Sequence, residues 1–326
     1  MTTIPVLDFR RFRSDLDGFA RDLGEAWRTI GFVAIREHGV SEGLIDGAYE
    51  QAKAFFELPM EARAAYVLPG QGGARGYTRF GVEHAKDAKE VDLKEFWHVG
   101  RELPASSPHL GLYPENLWPS ELPAFKPRLL GLFHTLERVG NALLRAIARH
   151  LEIAEGYFED KVDHGDSILR PIHYPPIEAG SAPKGVRAGR HEDINLITLL
   201  VASGAPGLEV LSRDGEWVPV ATDKGTIVIN VGDMLQRLTN DVLRSTTHRV
   251  VNPPPPICEE PRFSMPFFHH PNPEFLIETL PCCITADNPN RYPEPITAGD
   301  YLTQRLVEIG LLPADRAPGH RGRTSS

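Results

Sequence analysis

Residues 208–220 read LEVLSRDGEWVPV, two runs of alternating apolar residues separated by Asp214-Gly215. A period of two puts Leu208 and Val210 on one face of an extended chain, and does the same for Val218 and Val220. An Asp-Gly pair between two such runs suits a tight turn, so the stretch predicts a β-hairpin. Strand-like runs lie on both sides of it: SILRPIHY (167–174), NLITLLVA (195–202), GTIVINV (225–231), THRVVN (247–252) and RFSMPFF (262–268). Short strands recurring every 8–12 residues or so, with turn signals between them, indicate a barrel or a double-sheet jelly roll.

Before residue 165 the pattern is different. IPVLDF (4–9) alternates like a short strand, and GFVAIREHG (31–39) reads as a strand ended by glycine. Leu16, Phe19, Leu23, Trp27 and Ile30 recur at spacings of three and four, as do Leu44, Ala48, Ala52 and Phe55. Those spacings predict two amphipathic helices. Residues 68–76, LPGQGGARG, read as a mobile loop, and 101–123, with five prolines, as irregular chain. From Pro119 onward a long helix is expected, its buried stripe running from Phe125 through Leu136 to Leu151. A last helix is expected over about 298–311 and a disordered tail after it. The chain thus divides into an N-terminal α/β region (1–118), a long helix with the β core and C-terminal helix (119–312), and the tail (313–326).

The formal charge of −9 argues against a surface that neutralises phosphates, so no nucleic-acid partner is expected. The N-terminal residues lack the apolar core of a secretory signal, and no run reaches the ~18 apolar residues of a membrane-spanning helix. Cys258, Cys282 and Cys283 are too few for a disulfide framework. A cytoplasmic protein, monomeric or weakly self-associating and without a membrane partner, is the expectation.

Within RHEDINLITLL (190–200), His191 and Asp193 precede an apolar run. His-x-acid triplets are common; chance supplies about two in a chain of this composition. His164-Gly165-Asp166 and His150-Leu151-Glu152 are such decoys, the second lying in the long helix, where positions two apart diverge. If His191 and Asp193 begin the NLITLL strand, alternation turns both to one face. His248, opening THRVVN, supplies a second imidazole. Two imidazoles and a carboxylate form a facial triad with three open positions, suited to Fe(II) that binds O2 and an organic ligand. Arg262 and Ser264, again two apart, would share a face, and a guanidinium fork matches a carboxylate.

The order His-x-Asp, His-Arg-Val, Arg-x-Ser resembles the isopenicillin N synthase-like branch of the Fe(II)/2-oxoglutarate-dependent oxygenases. IPVLDF resembles that family's opening strand, GFVAIREHGV its Gly-Phe-…-Asn-His-Gly segment, and AKAFFELPMEARAAY its Phe-Phe-x-Leu-Pro helix end. GLEVLSRDGEWVPV, VINVGDMLQRLTND, STTHRVVNP and RFSMPFF match its core strands in order. The resemblance implies a mainly β fold: a double-stranded β-helix (jelly-roll) core with a helical N-terminal region and a C-terminal helix. It implies Fe(II) on His191, Asp193 and His248, and 2-oxoglutarate held by Arg262 and Ser264 beside Tyr174. It also implies a small-molecule substrate near Phe268, hydroxylated or otherwise oxidised by O2, with release of succinate and CO2. Retention of Asp193 fits oxygen insertion or desaturation rather than halide transfer.

Two departures stand out. Ile172-His173 replaces the Asn-Tyr pair many relatives have before the tyrosine, and Pro253–Pro256 lengthen the connection from His248 to Arg262, read here as a hairpin link. Glu192, between two ligands, is expected to point away from the metal. Tyr77 and Phe80, with Phe96 and Arg79, are candidates to line the substrate pocket. Two alternatives stay open: an oxidase using Fe(II) and O2 without 2-oxoglutarate, and a non-redox jelly roll binding zinc as a hydrolase or structural ion.

Overall fold

The structure, a computed structural model, describes residues 4–69, 73–83, 90–178, 180–181, 183–220, 223–309 and 311–316. The expected loop at 68–76 and the expected tail fall partly outside these residues.

Among the described residues the strands form two large sheets and one two-stranded sheet, Leu276–Ile277 with Ile296–Thr297. The N-terminal part contributes β1 (Val6–Asp8), β2 (Phe32–Arg36), β3 (Gly76–Thr78) and β4 (Glu95–Gly100). The other strands of the two large sheets are β5 (Ile168–Leu169), β6 (Ile172–Tyr174), β7 (Ala188–His191), β8 (Ile197–Val201), β9 (Leu208–Leu211), β10 (Trp217–Pro219), β11 (Ile227–Val231), β12 (His248–Val250) and β13 (Arg262–His269). A nine-stranded sheet runs β1-β2-β11-β8-β13-β5-β4-β3, with β6 paired to β13 and β4; a four-stranded sheet runs β10-β9-β12-β7. The expected 208–220 hairpin is β9 and β10, antiparallel, with Val218 opposite Val210. Gly215 takes φ +81° in its turn, a conformation open to glycine. Residues 1–118 supply strands to the larger sheet, so its edges are built from the N-terminal region.

Alternation separates two cores. One face of the large sheet packs against helices: Val201, Ile197, Leu199, Met265 and Phe267 belong to one buried cluster with Phe19, Trp27, Phe55 and Phe133. Three helices cover that face, Leu16–Thr29, Glu42–Phe56 and Phe125–His150, and Phe133 meets Phe267 edge-on at 5.0 Å. Asp15 and Ser41 cap the first two, accepting from the amides of Gly18 and Leu44. The opposite face meets the small sheet. Phe32, Ala34, Val228, Val210, Val218 and Val250, drawn from both sheets, form the second cluster. This two-layer β core flanked by helices is the expected jelly roll.

One expected connection is corrected. The segment carrying Pro253–Pro256 is not a hairpin link, because β12 pairs with β7 and β9 whereas β13 pairs with β8, β5 and β6. It crosses from one sheet to the other. Two strand-like runs joined by a short loop look alike whether or not they pair, since pairing is set by the partners each edge finds elsewhere.

His269 lies fully buried on the helix side, and neither ring nitrogen has a hydrogen-bond partner among the described residues. Burial, helped by the positive Arg101, pushes its pKa down to about 3. An unfolded chain binds a proton there below pH ~6.5 while the native state does not, so this group's stabilisation is full above that pH and lost as pH falls toward 3. Acid unfolding of His269→Leu should therefore show a shallower dependence, by up to about 1.4 kcal/mol per pH unit, between pH 3.5 and 6 or so. Parallel stability–pH curves for the two proteins would refute this.

Candidate active site

His191 ends β7 and His248 begins β12, and the two strands pair antiparallel with these residues directly opposite each other. Ala188 faces Val250 in the same ladder, so three residues of β7 span two of β12 and the register shifts between them. Cross-strand partners share a face, so this bulge turns His191 inward alongside Ala188. That corrects the expected reason for the His-x-Asp pair: His191 and Asp193 do not sit on one strand. Asp193 lies in the turn that leaves β7 for β8, crossing from the small sheet to the large one. The turn is tied down by the amide of Asp233 donating to the Asp193 carbonyl at 2.7 Å.

The three side chains still converge. One donor atom from each of His191, Asp193 and His248 lies within 4.8 Å of the others, the sole such cluster of three or more among the described residues. Asp193 Oδ1 stands 3.9 Å from His191 Nε2 and 3.8 Å from His248 Nε2. Each ligand's other polar atom is already engaged. His191 Nδ1 is 2.8 Å from the Gly189 carbonyl and His248 Nδ1 is 3.0 Å from that of Thr246. With Nδ1–H donated to a carbonyl, each Nε2 keeps its lone pair for a metal. Asp193 Oδ2 accepts from Thr198 Oγ1 at 2.6 Å and from Asn230 Nδ2 at 2.8 Å, leaving Oδ1 free. Burial, with the neighbouring His248, lowers the His191 pKa to about 4, so the ring is neutral, as a ligand must be. Burial alone would raise the Asp193 pKa, but the two imidazoles and the Asn230 and Thr198 hydrogen bonds hold it below the usual range.

Thr198 and Asn230 were not singled out from the sequence. A lone amide in the apolar run IVINV was the available signal, because a buried polar group needs a partner. Thr198→Val should weaken divalent-metal affinity by about tenfold to a hundredfold, since outer partners orient the ligand. A Mn(II) titration giving an unchanged Kd would remove Thr198 from the site. Glu192, as expected, turns aside and accepts a hydrogen bond from Thr247 Oγ1.

Arg262 and Ser264 are both buried on β13, and Tyr174 lies opposite Arg262 on β6. The guanidinium stacks over the Tyr174 ring at 4.8 Å, and its Nε and Nη1 have no hydrogen-bond partner among the described residues. Buried, unpartnered donors of this kind suit an anion. Phe268 shares this face and lies opposite Thr198, the residue bonded to Asp193.

The other substrate-pocket candidates divide. Thr78 opposes Phe96 in the β3–β4 ladder, so Tyr77, opposite Trp97, points to the helix side instead. There its ring meets Phe55 edge-on at 5.6 Å and its hydroxyl donates to Glu95, which also pairs with Arg63 at 2.6 Å. Tyr77 is thus removed from the cavity by strand alternation, a phase the glycine-rich approach to β3 conceals. Phe80 is exposed in the turn after β3. His173 also faces the helices, stacked on Phe263 at 4.8 Å with Nδ1 2.8 Å from Glu95. Phe96 does point inward, with Ile172 as its cross-strand partner and Tyr174 in the same small buried cluster.

Residues 4–121 match the family described as non-haem dioxygenase in morphine synthesis N-terminal, and residues 165–271 match the 2OG-Fe(II) oxygenase superfamily. A proline hydroxylase from Petromyces alliaceus is 33% identical over 93% of this chain and 98% of its own. The chain belongs to the 2OG-Fe(II) oxygenase superfamily. It is an Fe(II)/2-oxoglutarate-dependent dioxygenase with a double-stranded β-helix core. A 2OG-Fe(II) oxygenase family protein from Caulobacter crescentus superposes with a TM-score of 0.87 at 46% identity, covering 95% of this chain and all of that one. A full-length Neurospora crassa protein in complex with alpha-KG superposes at 0.83 with 33% identity, covering 93% of this oxygenase and 96% of its own chain. That Neurospora protein has also been solved with alpha-KG and thymine together. Relatives named for Fe(II) and 2-oxoglutarate, or solved with alpha-KG, favour that chemistry over the zinc and 2-oxoglutarate-free alternatives.

Proposed function

We propose that His191 Nε2, Asp193 Oδ1 and His248 Nε2 hold the Fe(II), and that Arg262 and Ser264 bind the distal carboxylate of 2-oxoglutarate beside Tyr174. Bound iron supplies the coordination site at which O2 and 2-oxoglutarate react, giving succinate and CO2 while a substrate C–H bond is oxidised. The chain's own residues do the rest. Gly189 and Thr246 carbonyls fix the two imidazole tautomers, Thr198 and Asn230 aim the Asp193 carboxylate, and Arg262 orients the co-substrate from a buried position. Phe268, one cross-strand step from Thr198, faces the cavity where the substrate would lie.

The observation that carries this reading is the convergence of three donor atoms within 4.8 Å, each with its second polar atom already hydrogen-bonded. Retention of the carboxylate at 193 supports hydroxylation or desaturation of a small organic molecule. The cysteines Cys258, Cys282 and Cys283 are free thiols, which supports a reducing cytoplasm. No helix among the described residues is long and apolar enough to cross a membrane. A monomer or weak homo-oligomer acting without nucleic acid remains part of the proposal, in line with the net charge of −9.

Anaerobic addition of 2-oxoglutarate to the Fe(II)-loaded enzyme should produce a visible metal-to-ligand charge-transfer band. His248→Ala should lose it. A band of undiminished intensity in that variant would exclude His248 from the metal.

A further inference from the structure

Arg170 is left unused by the iron and 2-oxoglutarate assignments. Arg170 joins β5 to β6, its amide donating to the Pro266 carbonyl at 2.9 Å. Its guanidinium lies between two aromatic rings, 4.4 Å from the centroid of Phe96 and 4.9 Å from that of Phe268. Nε donates to His98 Nε2. Burial, with Arg170 alongside, keeps the His98 pKa well below its ordinary value, so its ring is a neutral acceptor that leaves the positive charge on the arginine. Nη1 stands 3.6 Å from Glu83 Oε1, beyond hydrogen-bond distance, and no hydrogen bond reaches Nη2 among the described residues. Glu83 is shared between two cations: its Oε1 makes this ion pair with Arg170, while Lys94 Nζ lies 2.8 Å from Glu83 Oε2 and from Asp92 Oδ2.

This arginine lies close to the triad. Phe268, against which it lies, is the cross-strand partner of Thr198, which holds Asp193. The charges of Asp193 and Arg170 both act on the buried His270, with opposite sign. Lys94 in turn acts on His191 and feels Arg170. Stacking between two rings removes most of the side chain's torsional freedom, so the outer edge of the guanidinium is held in place with two donors to offer.

We propose that Arg170 anchors the primary substrate, its Nη1–Nη2 edge taking a carboxylate so that the body of a small organic acid lies against Phe268, near the metal. This rests on the assignment of His191, Asp193 and His248 to iron and of Arg262 to 2-oxoglutarate. Glu83, itself paired with Lys94, stands 3.6 Å from Nη1 and helps to hold the guanidinium in place. Phe96 and His98 fix its plane. The enzyme would then select among small acids by the distance from carboxylate to oxidisable carbon.

The test uses full-length protein loaded with Mn(II) and 2-oxoglutarate in the absence of O2. Calorimetry measures binding of matched acids and amides at millimolar concentration: nicotinate and nicotinamide, L-proline and L-prolinamide, cyclohexanecarboxylate and its amide, with thymine as a neutral flat ring. At least one acid should bind in preference to its amide. Arg170→Met should weaken that acid by about tenfold to a hundredfold, the value of one charge-assisted pair, and Arg170→Lys should restore part of it. The Kd for 2-oxoglutarate should stay unchanged in both variants, which separates substrate anchoring from a general collapse of the site. The proposal is overturned if no acid binds, if amides or thymine bind as well as the acids, or if acid binding survives Arg170→Met. Failure of the wild-type protein to bind Mn(II) and 2-oxoglutarate, seen before any acid is added, would overturn the underlying site assignment instead.

Discussion

Asp193→Ala should abolish substrate oxidation and succinate release, with a loss well beyond the tenfold to hundredfold, or so, expected from disturbing an outer partner such as Thr198. Three reasons converge on this residue. It is the carboxylate of the proposed triad, 3.8 and 3.9 Å from the two imidazole nitrogens. Its carboxylate is the acceptor for both Thr198 and Asn230, so its removal also frees two buried donors. Without it, the protein would offer the metal only two neutral histidines. The freed donors should lower apoprotein stability by about 1–3 kcal/mol, which leaves the fold in place. Circular dichroism and a Mn(II) titration separate the two effects. An Asp193→Ala protein that still releases succinate at a rate near that of the wild type would sink the triad assignment.

Arg262→Ala should act on the other half of the site. The expected effect is a rise in the apparent KM for 2-oxoglutarate corresponding to about 2–5 kcal/mol, the cost of removing one partner from a buried charged pair. Iron affinity should stay close to that of the wild type, because Arg262 sits on β13 and the ligands sit on β7, β12 and the turn after β7. Arg262→Lys should recover only part of the loss. A lysine cannot present two parallel N–H donors, nor stack flat on Tyr174 as the guanidinium does at 4.8 Å. Initial rates against 2-oxoglutarate concentration, measured beside a metal titration, give the answer. Equal losses of both affinities would mark Arg262 as a structural residue.

Strand periodicity carried much of this molecule. The alternation in LEVLSRDGEWVPV located β9 and β10, and the same rule on β13 placed Arg262 and Ser264 on one inward face. Spacings of three and four located the helices that cover the large sheet. The residue types at 191, 193, 248 and 262 were legible because few chemistries need those donors together. The geometry that joins them was not. Alternation within one strand was the expected link between His191 and Asp193, but the link is a β-bulge followed by a turn between sheets. The tetraproline segment looked like a hairpin and is a crossover, and Tyr77 looked like pocket lining and faces the helices.

Residue types and local periodicity determined the mainly β class and the main helices, and with the family resemblance they supplied the candidate metal and co-substrate residues, because those depend on side-chain chemistry and near neighbours. Tertiary structure alone decided which strands pair, where the register shifts, that Thr198 and Asn230 hold Asp193, and that Arg170 lies against Phe96 and Phe268. A strand's face and partners follow from hydrogen bonds to chain far away in sequence. Val228 pairs with Ala34 and Leu200, and Phe268 with Thr198, across separations that no local pattern records.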